Sequence, residues 1–75
     1  MLTDDKEFIK VIGIQLRKMR VEAGFSSYEQ FAFEHDLDRR YYWSIENGTN
    51  ISVKYLFKIL RIHGVTFSEF FEAID

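Results

Sequence analysis

The chain of 75 residues contains no cysteine and no proline, and its apolar runs are only a few residues long. Without cysteine it has neither a disulfide framework nor a thiolate metal site. The short apolar runs exclude a membrane-spanning helix, and residues 1–5 lack the basic and then apolar pattern of a signal peptide. These absences predict one small domain over residues 1–75, located in the cytoplasm and without a metal or a cofactor.

Aromatic residues are abundant, with eight Phe, four Tyr and one Trp, and 47% of the chain is apolar. Such a composition lies far from that of disordered chains. A chain of this length buries only about 60% of its unfolded surface on folding, so its core must be used economically. We therefore expect one compact core.

The net charge of −2 conceals an uneven distribution of charged residues. Residues 1–38 carry five basic and eight acidic side chains, residues 39–64 carry five basic and one acidic, and residues 65–75 carry three acidic. The middle segment thus has a charge of +4, five minus one, inside an acidic protein. Such polarity can orient a protein on a polyanion, although ordinary solvated helix faces also produce such an imbalance.

Glycines and capping residues mark the breaks between helices. Gly24, Gly48 and Gly64 each follow a stretch of helical apolar spacing, where a left-handed residue closes a helix. Helix-start signals stand at Ser27, Asp38, Ser52 and Thr66. These signals and the apolar spacing predict an all-α fold of five helices, at about residues 4–23, 28–34, 39–47, 53–63 and 67–74.

The second and third helices form a predicted helix-turn-helix over residues 28–47. Because only residues 35–38 separate the two helices, their axes must cross steeply and the residue at the crossing must be small. Ala32 lies there. Leu37 plugs the turn, and the spacing directs Tyr42 and Ile45 inward. The sides and outer face of the third helix then carry Arg39, Arg40, Tyr41, Trp43, Ser44 and Asn47.

At these points the sequence resembles the lambda-repressor and Cro-like (XRE) family of helix-turn-helix domains. The matching pieces are Ile12-Gly13, Leu16, Met19 and Arg20, then Ser27 to Ala32, Ile45 to Gly48, and Gly64 to Phe70. Each piece is weak alone, but together and in order they cover residues 12–71 at the family's spacing. The resemblance implies a five-helix bundle whose recognition helix, residues 39–47, lies in the major groove of DNA.

The resemblance also implies roles for individual residues. Arg39, Arg40 and Ser44 occupy base-reading positions, and the arginines predict half-sites with guanine, because a guanidinium can grip O6 and N7 of guanine. Contacts with the DNA backbone are implied for Ser27, Tyr28, Tyr41, Asn47, Thr49 and Asn50. Arg20 and Glu46 are implied to form a mostly buried ion pair that ties the first helix to the end of the third.

Several positions depart from the family pattern. Tyr28 replaces a glutamine that commonly contacts phosphate, and Asp36 replaces the usual turn glycine, an exchange that Asp tolerates because it visits left-handed conformations. His35 and His63 replace leucines, and without a third ligand at metal spacing we interpret them as partly buried packing residues. Gly13, inside the first helix, indicates that another helix packs closely there.

Double-stranded DNA and a second copy of the chain are the expected partners. One recognition helix reads only a few base pairs, whereas a genome offers about 10⁶ or more competing sites. The last helix is too short to bury all its apolar residues, which predicts a homodimer interface of Phe67, Phe70, Phe71 and Ile74. Half-sites about 34 Å apart would follow. The alternative is that these residues close the core of a monomer.

Protein binding and catalysis are the two alternatives to DNA binding. Trp43 and Tyr41 form an outward aromatic pair beside two arginines, and, with the acidic composition, this leaves open an XRE-like domain repurposed for protein binding as an antitoxin or anti-regulator. An enzyme is not expected, because the sequence has no glycine-rich phosphate loop, no metal-ligand spacing and no serine beside a base. Sequence-specific transcription regulation is the predicted function.

Overall fold

The computed structural model describes residues 4–74, and this part of the chain forms five α-helices and no strand. They are α1 (Asp5–Glu22), α2 (Tyr28–Glu34), α3 (Arg39–Glu46), α4 (Val53–His63) and α5 (Phe67–Ile74). The predicted all-α fold is confirmed, and each helix end lies within one residue of its predicted position. No helix in residues 4–74 is both long and apolar enough to cross a membrane.

Each helix begins at a side-chain oxygen that accepts a hydrogen bond from a backbone amide of the first turn. The acceptors belong to Asp4, Ser27, Asp38, Ser52 and Thr66. The contact at Thr66 is reciprocal, because the Thr66 amide also donates to Glu69 Oε1 at 2.9 Å. Thr66 and Glu69 thus form a capping box. The hydrogen bonds between Thr66 and Glu69 hold the pKa of Glu69 below its usual range.

The turn between α2 and α3 is built on Ala32 and Leu37, as the sequence predicts. Ala32 is fully buried, and its carbonyl oxygen accepts a hydrogen bond from the Leu37 amide at 2.8 Å. Asp36 has a φ of 56°, the left-handed conformation expected at the turn. The chain therefore reverses within a few residues, and α3 starts directly above the buried Leu37.

A single core lies between the helices. Its members are Ile12, Leu16, Phe31, Ala32, Leu37, Tyr42, Ile45, Leu56, Ile59, Leu60 and Phe70. Gly13 shows how closely α1 approaches α3, since an added methyl group would overlap the carbonyl oxygen of Ile45 and lie 2.9 Å from that of Glu46. The expected close approach at Gly13 is confirmed.

A buried ion pair joins α1 to the end of α3. Arg20 Nε donates to Glu46 Oε2 at 2.8 Å, and Arg20 Nη2 donates to Glu46 Oε1 at 3.1 Å. The third nitrogen, Nη1, donates to the carbonyl oxygen of Phe25 at 2.6 Å. The bond to Glu46 raises the pKa of Arg20 further above its ordinary value. The predicted Arg20–Glu46 pair is thus confirmed, and it also fixes the loop after α1.

His35 and His63 both pack against Phe31, with ring centroids 4.5 Å and 5.3 Å from it. Burial, with a smaller contribution from His35, holds the pKa of His63 below its usual range, which favours a neutral ring. The packing interpretation of the two histidines is confirmed. Within residues 4–74 no group of three His, Cys, Asp or Glu residues is close enough to hold a metal ion.

The apolar residues of α5 divide between the core and the surface. Phe70 is 1% exposed and fills the core of the single chain. Its inclusion in the predicted dimer interface is therefore wrong, because a partner could not reach a side chain that this chain already covers. Phe67, Phe71 and Ile74 are only half-buried against the core, and their ability to meet a second copy stays a prediction.

Candidate nucleic-acid interface

The two faces of α3 are clearly separated. Tyr42, Ile45 and Glu46 point into the molecule and are buried. Arg39 and Arg40, the first two residues of the helix, are exposed. The predicted base-reading guanidinium groups are therefore available to a ligand at the N-terminal end of α3.

A shallow groove runs between α2 and α3 on this exposed side. It is lined by Tyr28, Glu29, Arg39, Arg40, Trp43 and Ser44. The three predicted base-reading residues thus line the same groove as Tyr28, which is one of the residues predicted to contact phosphate. The groove has two positive charges and one negative charge, with aromatic rings beside them. Such a surface can grip a polyanion and still contact apolar groups.

Glu29 also lines the groove, although its pattern in the sequence predicts no role for it. Its Oε2 lies 3.9 Å from Nη1 of Arg39, and the two side chains are 58% and 65% exposed. An exposed pair of this kind contributes only about 0–1 kcal/mol, because water screens it. It places a negative charge within reach of the Arg39 guanidinium. The sequence held no sign of the pair, since Glu29 and Arg39 lie on different helices.

The side chains of Ser44 and Asn47 donate hydrogen bonds to backbone carbonyl oxygens of α3. Ser44 Oγ donates to the carbonyl oxygen of Tyr41 at 2.7 Å. Asn47 Nδ2 donates to the carbonyl oxygen of Trp43 at 2.8 Å, which satisfies an acceptor at the helix end. In this geometry the Ser44 hydroxyl can meet a base only as an acceptor.

Tyr41 turns towards α4 rather than into the groove. Its ring packs edge-on against Tyr55, with the ring centroids 4.5 Å apart. Burial, together with the nearby Tyr41 and Asp38, raises the pKa of Tyr55 to about 12, so its phenol stays neutral. The packing against Tyr55 therefore holds the Tyr41 ring in place. Its contact with the DNA backbone stays a prediction.

The remaining predicted backbone contacts lie in loops next to helix ends. Ser27 caps α2, where its Oγ accepts from the Gln30 amide at 3.3 Å. Thr49 and Asn50 are exposed in the loop after α3, and the Thr49 amide already donates to the carbonyl oxygen of Ser44 at 2.9 Å. A phosphate at Thr49 would therefore meet the side chain rather than the amide.

Asp38 places a negative charge next to the arginines for a local reason. Its Oδ1 accepts a hydrogen bond from the Tyr41 amide at 2.8 Å and so caps α3. The positive end of the helix dipole offsets part of its charge.

Farther along the chain, Lys54, Lys58 and Arg61 lie along one face of α4 and help to line a second groove. The excess positive charge of residues 39–64 is thus divided between α3 and α4.

Comparison with known proteins places this arrangement in a family. A helix-turn-helix family model matches residues 16–70. The control protein C.MunI from Mycoplasma sp. is 48% identical over 64 residues, which cover 84% of this chain and 86% of that protein.

Solved structures agree with this match. The restriction-modification controller protein C.Esp1396I is 31% identical, covers 88% of this chain and 86% of its own, and has a TM-score of 0.73. C.AhdI from Aeromonas hydrophila is 29% identical over 85% of this chain and 97% of its own, also at 0.73. A C.Esp1396I tetramer has been crystallised with its natural 35 base-pair operator. The chain belongs to the XRE family of helix-turn-helix transcription regulators, which bind DNA.

Proposed function

We propose that this protein is the controller of a restriction-modification system and that it binds duplex operator DNA with the outer face of α3. The main support is the groove between α2 and α3, where Arg39, Arg40 and Ser44 converge on one exposed surface. The relatives with similar sequence and fold are named as control or controller proteins, one of them in complex with its operator. In this proposal the whole chain, residues 1–75, is one DNA-binding unit that acts in the cytoplasm and catalyses no reaction.

Recognition would divide between bases and phosphates. Arg39 and Arg40 each offer a bidentate grip on guanine, worth about 1–3 kcal/mol of discrimination against another base. Ser44 would accept a hydrogen bond from an amino group of adenine or cytosine, because its own hydrogen is engaged with Tyr41. Phosphate contacts would come from Ser27, Tyr28, Tyr41, Asn47, Thr49 and Asn50.

A homodimer is part of the proposed function. Phe67, Phe71 and Ile74 are half-buried on α5 and offer an apolar surface to a second copy. Two recognition helices would then read two half-sites about one helical turn apart, which multiplies the selectivity of one helix. The crystallised tetramer of C.Esp1396I on its operator supports assembly on DNA.

Selection of binding sites from a random duplex library tests the proposed function. We expect the parent protein to enrich half-sites with guanine, and the double variant Arg39→Ala/Arg40→Ala to lose that enrichment while it unfolds at the parental urea concentration. Lys6→Ala/Lys18→Ala is the matched control, because it removes the same charge from exposed positions of α1. Equal enrichment of the same sites by the double variant would contradict the assignment of the base-reading residues.

Salt titration separates DNA binding from the rival protein-binding function. Phosphate contacts release counterions, so log K for the selected duplex should fall steeply and linearly with log salt concentration. A flat response, or no enriched sequence at all, would favour an XRE domain that has been repurposed to bind a protein.

Light scattering tests the dimer. The parent should have about twice the mass of the 9.0 kDa chain, and Phe71→Glu should reduce it to that of a monomer. Because Phe71 also packs against Phe70, circular dichroism must first show that the variant is helical. A folded variant with the parental mass would remove α5 from the interface.

A further inference from the structure

Trp43 lies at the centre of the exposed side of α3. It lines the groove between α2 and α3 together with Arg39 and Arg40, and it also lines a neighbouring groove that includes Arg17 and Asn47. The residue follows Arg39 by four positions, so the two side chains share one face of the helix. Any molecule that the arginines bind at this face therefore meets the indole ring as well.

The indole ring is left half uncovered by its own chain. Trp43 is 48% exposed, and in residues 4–74 its ring pairs with no other aromatic ring, whereas Tyr41 packs on Tyr55. The backbone at this position is held, because the Trp43 carbonyl oxygen accepts from both the amide and the side chain of Asn47. The ring is thus an apolar surface on a held backbone, and the described chain does not cover it fully.

We propose that Trp43 reads a thymine in the operator by packing its indole ring against the C5 methyl group. We rest this inference on the proposed function, since it requires α3 to lie in the major groove. The thymine methyl is the apolar group that base edges display in that groove. Burying it against an aromatic ring removes apolar surface of both partners from water.

The helix geometry places this thymine close to the guanines. Four residues of α-helix rise by about 6 Å, and successive base pairs of B-DNA are about 3.4 Å apart. For a helix lying along the groove, the thymine that Trp43 contacts lies within about two base pairs of the guanine that Arg39 contacts. The flanking guanidinium groups favour DNA as the occupant, because arginine pairs well with phosphate and the groove keeps a net positive charge beside Glu29.

Deoxyuridine substitution tests the contact, because deoxyuridine lacks the methyl group and keeps every hydrogen-bonding atom of thymine. Each thymine of the selected operator is replaced in turn, and the affinity of the parent is measured by fluorescence anisotropy. We expect one thymine per half-site at which the parent loses about fourfold in affinity, equivalent to the ~0.8 kcal/mol of one buried CH₂ group. Substitution of the other thymines should have little effect.

Two variants show whether Trp43 is responsible. Trp43→Ala should bind the thymine and deoxyuridine duplexes equally, and Trp43→Phe should retain most of the preference, because a phenyl ring keeps the apolar contact but lacks the indole N–H. Circular dichroism and urea denaturation must first show that both variants are folded, since about half of the Trp43 side chain is buried. An equal preference for thymine in the parent and in both variants would overturn the methyl contact, since the ring would then play no part in it.

Other results would also overturn the inference. If no deoxyuridine duplex weakens binding of the parent, or if Trp43→Ala pays the same penalty as the parent, Trp43 does not read the methyl group. If the parent enriches no sequence, the proposed function itself fails and the inference fails with it. A parent that selects an operator but ignores the methyl groups would contradict only the role of Trp43.

Discussion

The inner and outer faces of α3 differ in how firmly the rest of the molecule holds them. The inner face is buried, and α1 approaches its end so closely that Gly13 has no room for a side chain. On the outer face, the described contact of Arg39 with another helix is the exposed pair with Glu29. One short helix therefore carries residues that the rest of the chain buries next to residues whose side chains stay exposed to a partner.

This difference shows how α3 can be both stable and able to bind. A recognition surface must stay uncovered until its ligand arrives, yet its side chains must project from a backbone of fixed orientation. The inner contacts supply that orientation. We therefore expect inner-face substitutions to lower stability and DNA affinity together, and outer-face substitutions to change DNA binding alone.

Of the proposed substitutions, Arg20→Ala should lower the stability most, because it removes the ion pair that anchors α3 to α1. It leaves the Glu46 carboxylate buried without its partner, at the C-terminal end of α3, where the helix dipole also disfavours a negative charge. We expect the free energy of unfolding to fall by about 3–5 kcal/mol, measured by urea denaturation. Arg17→Ala is the control, since Arg17 is exposed on the same helix. An equal effect of the two substitutions would mean that the ion pair does not anchor α3.

Gly13→Ala should weaken the same anchor by a smaller amount. Alanine favours a helix over glycine by about 1 kcal/mol, but its methyl group would push α1 away from the backbone of α3 at Ile45 and Glu46. We expect a net loss of about 1–3 kcal/mol in thermal or urea unfolding. Lys18→Ala, at an exposed site of α1, is the control. A stabilised Gly13→Ala variant would show that the two helices can separate at little cost.

Glu29→Gln should sharpen the comparison from the outer face. Removing this negative charge from the groove should strengthen DNA binding by at most about fivefold, the equivalent of an exposed pair of about 1 kcal/mol, and lower the free energy of unfolding by no more than about 1 kcal/mol. Glu34→Gln removes the same charge from another exposed site of α2. If both variants behave alike, Glu29 acts only through net charge.

The sequence predicted the helices and the turn accurately, because their signals are local. The caps at Ser27, Asp38 and Thr66 act on amides three residues away, and the left-handed Asp36 is set by its own turn. The Arg20–Glu46 pair was also found, but through the family resemblance rather than through spacing. Local chemistry therefore accounts for the secondary structure.

The division of α5 was beyond the sequence. Its apolar residues Phe67, Phe70, Phe71 and Ile74 fit a helix face equally well by spacing. Which of them is covered depends on where α1 and α4 lie, and the structure buries Phe70 completely while leaving the others half-buried. Burial on one short helix is decided by its neighbours, not by the helix itself.

The sequence by itself determined five helices, the turn between α2 and α3, and the presence of two arginines at the start of α3, because each depends on residues within a few positions. Only the tertiary structure decided that Glu29 lies near Arg39 and that Tyr41 packs on Tyr55. These outcomes join residues on different helices. They follow from the angle and distance at which the helices pack, which the whole core sets at once.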